Sequence, residues 1–213
     1  MRYSSFLFFF ALISSLSAGA GWEKIASNEF EMKSPPASGS ATHKKDFQDL
    51  HYWQDERNSK QCALGAQQTF PTVLAFFGPS AGQLTDREYR KASPLLNRVF
   101  KFTSRVSSYF KRQYERPRPY VTDPTLHPCI APPGLTKSYP SSHSSLAVIG
   151  ACVLGELFPS KADSLMEYGK SLGELRVIVG VHHPSDVKAG QKLGLDICER
   201  LLLEKDFRNE LED

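Results

Sequence analysis

Apolar residues recur at steps of three and four along most of this chain, and this periodicity is the strongest constraint on its fold. Within 95–114, for example, Leu95, Val99 and Phe102 would lie on one face of a helix. Further helical segments are predicted at 44–66, 69–77, 144–158, 162–181 and 184–204. Alternating patterns typical of half-buried strands are nearly absent. The sequence therefore predicts an all-α fold, a single-domain helical bundle of about six to nine helices.

The first residues have the composition of a targeting segment rather than of a helix in the bundle. Arg2 supplies a positive charge, 6–16 is an apolar run, and 18–20 reads Ala-Gly-Ala, a small-residue cleavage sequence. The alternative is an uncleaved membrane anchor, but the run is shorter than the roughly 20 residues that a spanning helix needs. The predicted organisation is a signal peptide at 1–20, an irregular N-terminal arm at 21–42 and one domain at 43–213. A mature protein in the periplasm or secreted, free of the membrane, is expected.

Charge and cysteine content narrow the class of protein further. The formal net charge of +3 is too small to indicate a nucleic-acid partner. Four cysteines in an exported chain favour one or two disulfides, with three full pairings open. We favour a Cys62–Cys129 pair in loop-like sequence, and expect Cys152 and Cys198, which lie in helical patterns, to be buried thiols. Since no CxxC pair is present, a zinc site is not expected.

A basic run at 111–119 is the first of three clusters that could carry chemistry. It reads Lys-Arg-Gln-Tyr-Glu-Arg-Pro-Arg-Pro, which places cations at the end of a helix and in the loop that follows. Arginine suits bidentate recognition of phosphate, and lysine supplies a point charge. The alternative is a solvated basic helix end that favours the helix dipole.

The second cluster, 139–145, stands just before an apolar helix and reads Tyr-Pro-Ser-Ser-His-Ser-Ser. Serines at this position cap the helix, and the N–H groups of its first turn then form an anion site. A histidine in that turn can act as a general acid toward a leaving oxygen. The alternative is an ordinary serine cap beside a chance histidine.

The third cluster, 176–186, reads Arg-Val-Ile-Val-Gly-Val-His-His-Pro-Ser-Asp and leads into the last predicted helix. A carboxylate at Asp186 that accepts the ring N–H of His182 would leave the other ring nitrogen free, as a nucleophilic imidazole requires. Two alternatives are half of a metal site and a simple helix start. No further histidine-rich pair supplies the missing ligands, so no metal is predicted.

In order and spacing, the three clusters resemble the signature of the PAP2 phosphatase superfamily. The matching blocks are Lys-x6-Arg-Pro from Lys111, Pro-Ser-x-His from Pro140 and Arg-x5-His-x3-Asp from Arg176. Within that superfamily, the size, the predicted signal peptide and the lack of predicted membrane spans are similar to the class A bacterial non-specific acid phosphatases. Shorter segments at 38–40, 45–47, 61–64 and 157–159 also resemble that group.

The resemblance implies a helical bundle of the PAP2 type that hydrolyses small phosphate monoesters without a metal ion or other cofactor, and that phosphate or vanadate inhibits. It implies that His182 attacks phosphorus to form a phosphohistidine, that Asp186 orients His182, and that His143 protonates the leaving group. The implied phosphate-binding residues are Lys111, Arg118, Ser141, Ser142, His143 and Arg176. His183 is the competing nucleophile, but only His182 has the matching gaps to Arg176 and Asp186. The natural substrate and the oligomeric state stay open.

The chain departs from the family pattern at two positions, and rival functions share parts of it. Ser142 stands where the family usually has glycine, and Leu175 stands where it usually has serine. A vanadate-dependent haloperoxidase would have the same oxyanion cage, although those enzymes are typically much longer. A lipid phosphate phosphatase would need several membrane spans. An inactive phosphate-binding helical module is the non-enzymatic alternative.

Overall fold

A computed structural model describes residues 21–134 and 137–212 of the chain, and every regular element in this part is a helix, with no strand. The predicted signal peptide at 1–20 lies outside the described residues. Two short 3-10 turns, at Gly21–Lys24 and Ser27–Glu29, begin the described chain. Nine α-helices follow within the described ranges: α1 (Ala41–Glu56), α2 (Ser59–Gln67), α3 (Val73–Phe77), α4 (Asp86–Tyr114), α5 (Pro119–Thr122), α6 (Ser142–Leu157), α7 (Ala162–Ile178), α8 (Pro184–Leu202) and α9 (Lys205–Glu212). The all-α prediction is confirmed.

Helix α6 lies at the centre of the bundle and packs against α4, α7 and α8. Ten of its 16 residues are buried, and they lie on every face of the helix, as expected for a helix surrounded by other helices. No helix of the described part is both long enough and apolar enough to cross a membrane.

Four glycines let α7 and α8 approach the N-terminal half of α6 closely. A Cβ on Gly169 or Gly173 of α7 would lie 2.8 Å from the Ala147 carbonyl oxygen or 2.7 Å from the Ser144 hydroxyl oxygen. On α8, Gly190 and Gly194 stand equally close to the α6 backbone. Because only glycine fits at such distances, the start of α6 is held between its two neighbours.

Several helix boundaries differ from the periodicity-based predictions, each for a local reason. Helix α4 begins at Asp86 rather than 95, because Thr85 and Glu88 form a capping box ahead of the apolar stripe. The segment 44–66 is split, since Arg57 is extended and Asn58 caps α2. The segment 69–77 is helical only from Val73, after the Thr72 cap. Segments 144–158, 162–181 and 184–204 are confirmed within three residues at each end.

The start of the N-terminal arm is attached to the bundle through Trp22. The Trp22 side chain is fully buried and makes edge-to-face contacts with Phe102 and Phe207. Its indole N–H donates to Glu210, and Arg98 of α4 bonds the same carboxylate. The arm thereby joins α4 to α9.

Both cysteine pairs form disulfides. Cys62 of α2 is bonded to Cys129, the pairing that the sequence favoured. Cys152 of α6 is bonded to Cys198 of α8, so the expectation of two buried thiols was wrong. The helical pattern around these two cysteines indicated burial, but it carries no information on which helices lie side by side. The second disulfide links two adjacent helices of the core.

Candidate active site

The three sequence clusters meet at one end of the bundle, where the ends of several helices lie together. Lys111 is in the last turn of α4, Arg118 precedes α5, and Ser141 is the N-cap of α6. Arg176 lies in the last turn of α7, and His182 stands two residues before α8. A backbone hydrogen bond joins the second cluster to the third: the Ser141 N–H donates to the Asp186 carbonyl oxygen. Within the third cluster, the His182 N–H donates to the Arg176 carbonyl oxygen.

The hydrogen bonds of His182 fix its tautomer. Its Nε2 lies 2.8 Å from Nη1 of Arg118, and a guanidinium only donates, so Nε2 must accept. Its Nδ1 lies 3.2 Å from Oδ2 of Asp186 and therefore carries the hydrogen. Burial, and then the charge of Arg118, lower the pKa of His182 well below its ordinary value. His182 is thus a neutral imidazole whose Nε2 lone pair points at the Arg118 guanidinium.

His183 occupies a different position from its neighbour. It is the N-cap residue of α8, and its Nδ1 lies 3.1 Å from the same Asp186 oxygen. Its ring packs edge-on against Phe47 of α1. Of the two adjacent histidines, His182 is the one whose ring has a hydrogen bond to Arg118.

Asp186 is fully buried and accepts hydrogen bonds at both oxygens. Oδ2 accepts from the two histidine rings, from the His183 backbone N–H at 2.9 Å and from the Ser138 hydroxyl. Oδ1 accepts from Arg116 at 2.7 Å. Burial alone would raise the pKa of Asp186, but the hydrogen bonds from His182 and His183 bring it well below its ordinary value. Asp186 therefore stays ionised and holds the His182 ring in place.

Three partly or fully desolvated cations converge on this site. Burial, followed by repulsion from Arg118, lowers the pKa of Lys111 to about 7 and that of Arg176 to about 10. Burial also lowers the pKa of Arg118. Within the described chain, the buried Nε of Arg176 has no hydrogen-bond partner. Like charges held together out of water are unfavourable unless an anion neutralises them, so this cluster has the character of an oxyanion site.

The N-terminus of α6 faces the same region. The Ser141 hydroxyl accepts from the Ser144 N–H at 3.3 Å and from the Ser144 hydroxyl at 2.9 Å, so Ser141 caps the helix. The first N–H groups of a helix, here those of Ser142 and His143, lack intrahelical acceptors and attract anions. Ser142 is half-buried at this position.

His143 is held by a backbone carbonyl and is electrostatically suppressed as a base. Its Nε2 lies 2.8 Å from the Gln68 carbonyl oxygen, which only accepts, so Nε2 carries the hydrogen. Burial, and then the charge of Arg176, lower the pKa of His143 to about 3. The protein's own groups therefore favour the neutral form of His143.

The second family departure, Leu175, has a structural role. Its side chain is buried and packs in a small apolar cluster with Ile130, Val179 and Val181. A serine at this position would bring a hydroxyl into that cluster. Leu175 thus anchors the end of α7, from which Arg176 extends.

Sequence reasoning missed several residues that complete the site. Arg116 and Ser138 bond Asp186 directly, and Asp46 of α1 bonds Arg116. The Gln68 carbonyl holds His143. Arg116 and Asp46 lie within quoted segments, but the family spacing fixes other positions in those segments. In the sequence, only the opposite charges of Arg116 and Asp46 could have indicated that these two residues belong to the site.

No three His, Cys, Asp or Glu side chains within 21–134 and 137–212 are grouped as a metal ion would require. Two arginines bond the pair of His182 and Asp186: Arg118 lies at Nε2 of His182, and Arg116 donates to Oδ1 of Asp186.

A family model, described as the PAP2 superfamily, matches residues 96–198, a span that holds all three clusters. This part of the chain is a PAP2 superfamily domain. Its signature residues are those that meet in space at the helix ends described above.

Three proteins similar to this chain are named acid phosphatases or non-specific acid phosphatases. It is 29% identical over 185 residues to an acid phosphatase of Zymomonas mobilis, covering 84% of this chain and 70% of that one. It is 28% identical over 185 residues to a non-specific acid phosphatase of Salmonella typhimurium, covering 81% and 72%. A non-specific acid phosphatase of Salmonella typhi is 26% identical over 211 residues, covering 91% and 84%.

Solved structures share the PAP2 fold at low sequence identity. A bacterial vanadium-dependent iodoperoxidase superposes with a TM-score of 0.65 at 16% identity, covering 89% of this chain and 56% of the peroxidase. A transmembrane phosphatidylglycerolphosphate phosphatase of Bacillus subtilis superposes with a TM-score of 0.58 at 19% identity, covering 76% and 85%. At these identities the likeness shows the fold alone.

Proposed function

We propose that this PAP2 protein is an exported acid phosphatase that hydrolyses small phosphate monoesters through a phosphohistidine intermediate on His182. The observation that carries the proposal is the hydrogen-bond pattern of that ring: Nδ1–H points at Asp186 and the Nε2 lone pair points into a cluster of buried cations. Acid phosphatases among the relatives support the reaction class.

In the proposed mechanism, the positive charges of the buried side chains at the site bind the substrate. The phosphoryl oxygens take hydrogen bonds from Lys111, Arg118 and Arg176, including the unpartnered Nε of Arg176. Ser141 and the first N–H groups of α6, at Ser142 and His143, complete the oxyanion cage. When Arg118 turns to a phosphoryl oxygen, it releases the lone pair of His182 that it occupies in the structure.

Two in-line displacements complete the reaction. In the first, the His182 Nε2 lone pair forms a bond to phosphorus as the bond from phosphorus to the ester oxygen breaks. His143 gives a proton to the departing alkoxide, and Asp186 stabilises the positive charge on the phosphorylated ring. In the second, His143 takes a proton from a water, whose oxygen attacks phosphorus and displaces His182. The products are the alcohol and inorganic phosphate, and the three cations stabilise charge throughout.

The lowered pKa of His182 favours hydrolysis at acidic pH. A nucleophilic histidine is active only when neutral, and the lowered pKa of His182 keeps it neutral below the range in which free histidine becomes protonated. The bound phosphoryl group adds negative charge beside His143 and so raises the pKa of this group, which lets it enter the reaction protonated.

Export is part of the proposal. A signal peptide at 1–20 is predicted from the sequence, and two disulfides suit an oxidising compartment such as the periplasm or the exterior.

Hydrolysis of p-nitrophenyl phosphate by the wild type and two histidine variants tests the function. We expect the wild type to turn over in acid, unaffected by a chelator and inhibited by vanadate. His182→Ala should lose activity by at least about 10³-fold, because no other group replaces the nucleophile. His51→Ala, a histidine of α1 paired with Asp123 away from the cage, should keep wild-type activity. Full activity of His182→Ala, or loss on chelation that metal restores, would refute the mechanism.

A second candidate function is that of a vanadate-dependent haloperoxidase, because the three sequence clusters would suit the oxyanion cage of that class of enzyme equally well. In that case the cage would hold vanadate as a cofactor for halide oxidation by peroxide. Incubation with vanadate, hydrogen peroxide and iodide or bromide separates the two. We expect phosphate ester hydrolysis without halide oxidation, and the reverse result would select the peroxidase.

A further inference from the structure

Arg116 is a buried cation that lies outside the phosphate cage and binds two buried carboxylates. Its Nη1 donates to Oδ1 of Asp186 at 2.7 Å, and its Nη2 donates to Oδ2 of Asp46 at 3.0 Å. The relative exposures of the three side chains are 7%, 0% and 3%. Together, the two carboxylates and the one guanidinium carry a net negative charge on the Asp186 side of the His182 ring.

We propose that Arg116, fixed by Asp46 of α1, is a positioning residue that keeps Asp186 ionised and His182 neutral in acid, and thereby sets the acid limit of catalysis. The proposal rests on the phosphatase function proposed above, with His182 as the nucleophile. It adds α1 to the elements that control the reaction.

The geometry divides the two oxygens of Asp186 between two tasks. Oδ2 receives the His182 ring together with the Ser138 hydroxyl and the His183 N–H. Oδ1 receives Arg116. The guanidinium therefore sets the rotation of the carboxylate, and the carboxylate sets the direction of the His182 ring.

Helix α1 fixes Arg116 through a second set of bonds. Asp46 accepts the Ser185 backbone N–H at 3.0 Å at the start of α8, and it also accepts the Ser185 hydroxyl. The Ser185 hydroxyl oxygen in turn accepts from Arg116 Nη1 at 2.7 Å. Asp46, Arg116 and Ser185 therefore form a closed ring of hydrogen bonds that ties α1 to the first turn of α8, beside Asp186.

The change in charge on removal of Arg116 predicts the direction in which the acid limit of catalysis moves. Without Arg116, Asp186 would lack the cation bonded to its Oδ1 and would take up a proton at higher pH. Stronger attraction from the unshared Asp186 would also raise the pKa of His182. Protonation of His182 stops the reaction because it removes the attacking lone pair. Protonation of Asp186 stops it because the carboxylate no longer accepts the hydrogen bond that aligns the ring. The remaining charged and titratable groups around the pair come from several elements: His43, Asp46, Lys111, Arg118, Tyr120, Tyr139 and His183.

Three variants test the proposal through the pH dependence of kcat for p-nitrophenyl phosphate. In Arg116→Gln the acid limb should move to higher pH by about one unit or more, and Arg116→Lys should recover part of the shift. Asp46→Asn removes a negative charge instead and should move the limb to lower pH. Arg112→Gln, an exposed arginine on α4, is the control with the same charge change, and its profile should match the wild type.

A histidine NMR titration of the same proteins reports the effect independently of turnover. The protonation midpoint of the His182 and Asp186 pair should rise in Arg116→Gln and fall in Asp46→Asn. An acid limb and an NMR midpoint that stay unmoved in the Arg116→Gln and Asp46→Asn proteins, with folding verified by circular dichroism, would overturn the proposal. If the NMR midpoints shift but the wild type hydrolyses no ester, the charge linkage stands and the phosphatase function fails.

Discussion

At the scale of single residues, the site is explained by where charge is left unbalanced. Three cations have lowered pKa values because they are buried near one another. One carboxylate, Asp186, accepts hydrogen bonds from the two histidines. The sequence motifs predicted the identities of these residues. They could not predict the tautomer of His182, the carbonyl that holds His143 or the part played by Arg116, since each depends on atoms from a distant segment.

The protonation of His143 provides a prediction at this scale. Its pKa is about 3 in the protein's own field, and a bound phosphoryl dianion beside it should raise that value by about 2 units or more. Histidine NMR titrations with and without saturating phosphate measure the change. A His143 midpoint that phosphate leaves unmoved would show that this residue does not serve as the acid.

At the scale of helices, periodicity located the segments and their buried faces, but not the cap positions or the contacts between them. The first two turns of α4 are polar and were missed, because a capping box rather than an apolar stripe defines them. The close approach of α8 to α6 was also hidden, because a glycine in a helical pattern does not reveal which backbone it faces. This contact matters for function, since it positions the cap residue Ser141.

Gly190→Ala should therefore disturb catalysis although Gly190 contacts no substrate. The added Cβ would lie 2.3 Å from the Ser141 carbonyl oxygen, so the start of α6 must move. We expect kcat/KM for p-nitrophenyl phosphate to fall by about 10- to 100-fold, because small displacements of binding groups are costly. The free energy of unfolding should fall by about 1–3 kcal/mol.

Gly155→Ala, near the other end of α6, is the matched control for that substitution. Its Cβ would lie 3.2 Å from the Ala162 Cβ, well away from the cage. Alanine also has the higher helix propensity, by about 1 kcal/mol. Activity should be unchanged in this variant. Equal activities for the two glycine variants would show that the contact between α8 and α6 does not position the cage.

At the scale of the whole molecule, the start of the described chain packs against its last helix, α9. The arm at 21–42 was predicted only as irregular sequence, because it carries Ser-Pro-Pro at 34–36 and Ser-Gly-Ser at 38–40. In the structure, Trp22 is fully buried between α4 and α9, and Arg98 links Glu23 to Glu210. Long-range packing of this kind lies beyond what local patterns can predict.

Trp22→Ala should destabilise the entire bundle. Removing a fully buried indole, together with its hydrogen bond to Glu210, should lower the free energy of unfolding by about 3–5 kcal/mol in a urea titration. Phe70→Ala is the aromatic control: that ring is 76% exposed, so the change should stay within about 0.5 kcal/mol. Similar small losses in both variants would mean that the arm does not contribute to the stability of the fold.

The central claim, a covalent intermediate on His182, is tested most directly by trapping it. The enzyme is mixed with a ³²P-labelled phosphate monoester and quenched in alkali, where phosphohistidine survives. Trypsin then releases the peptide 177–188, and fragmentation in a mass spectrometer separates its two histidines. The account predicts label on His182. Label on His183 or His143, or turnover that inverts the configuration at phosphorus, would contradict it.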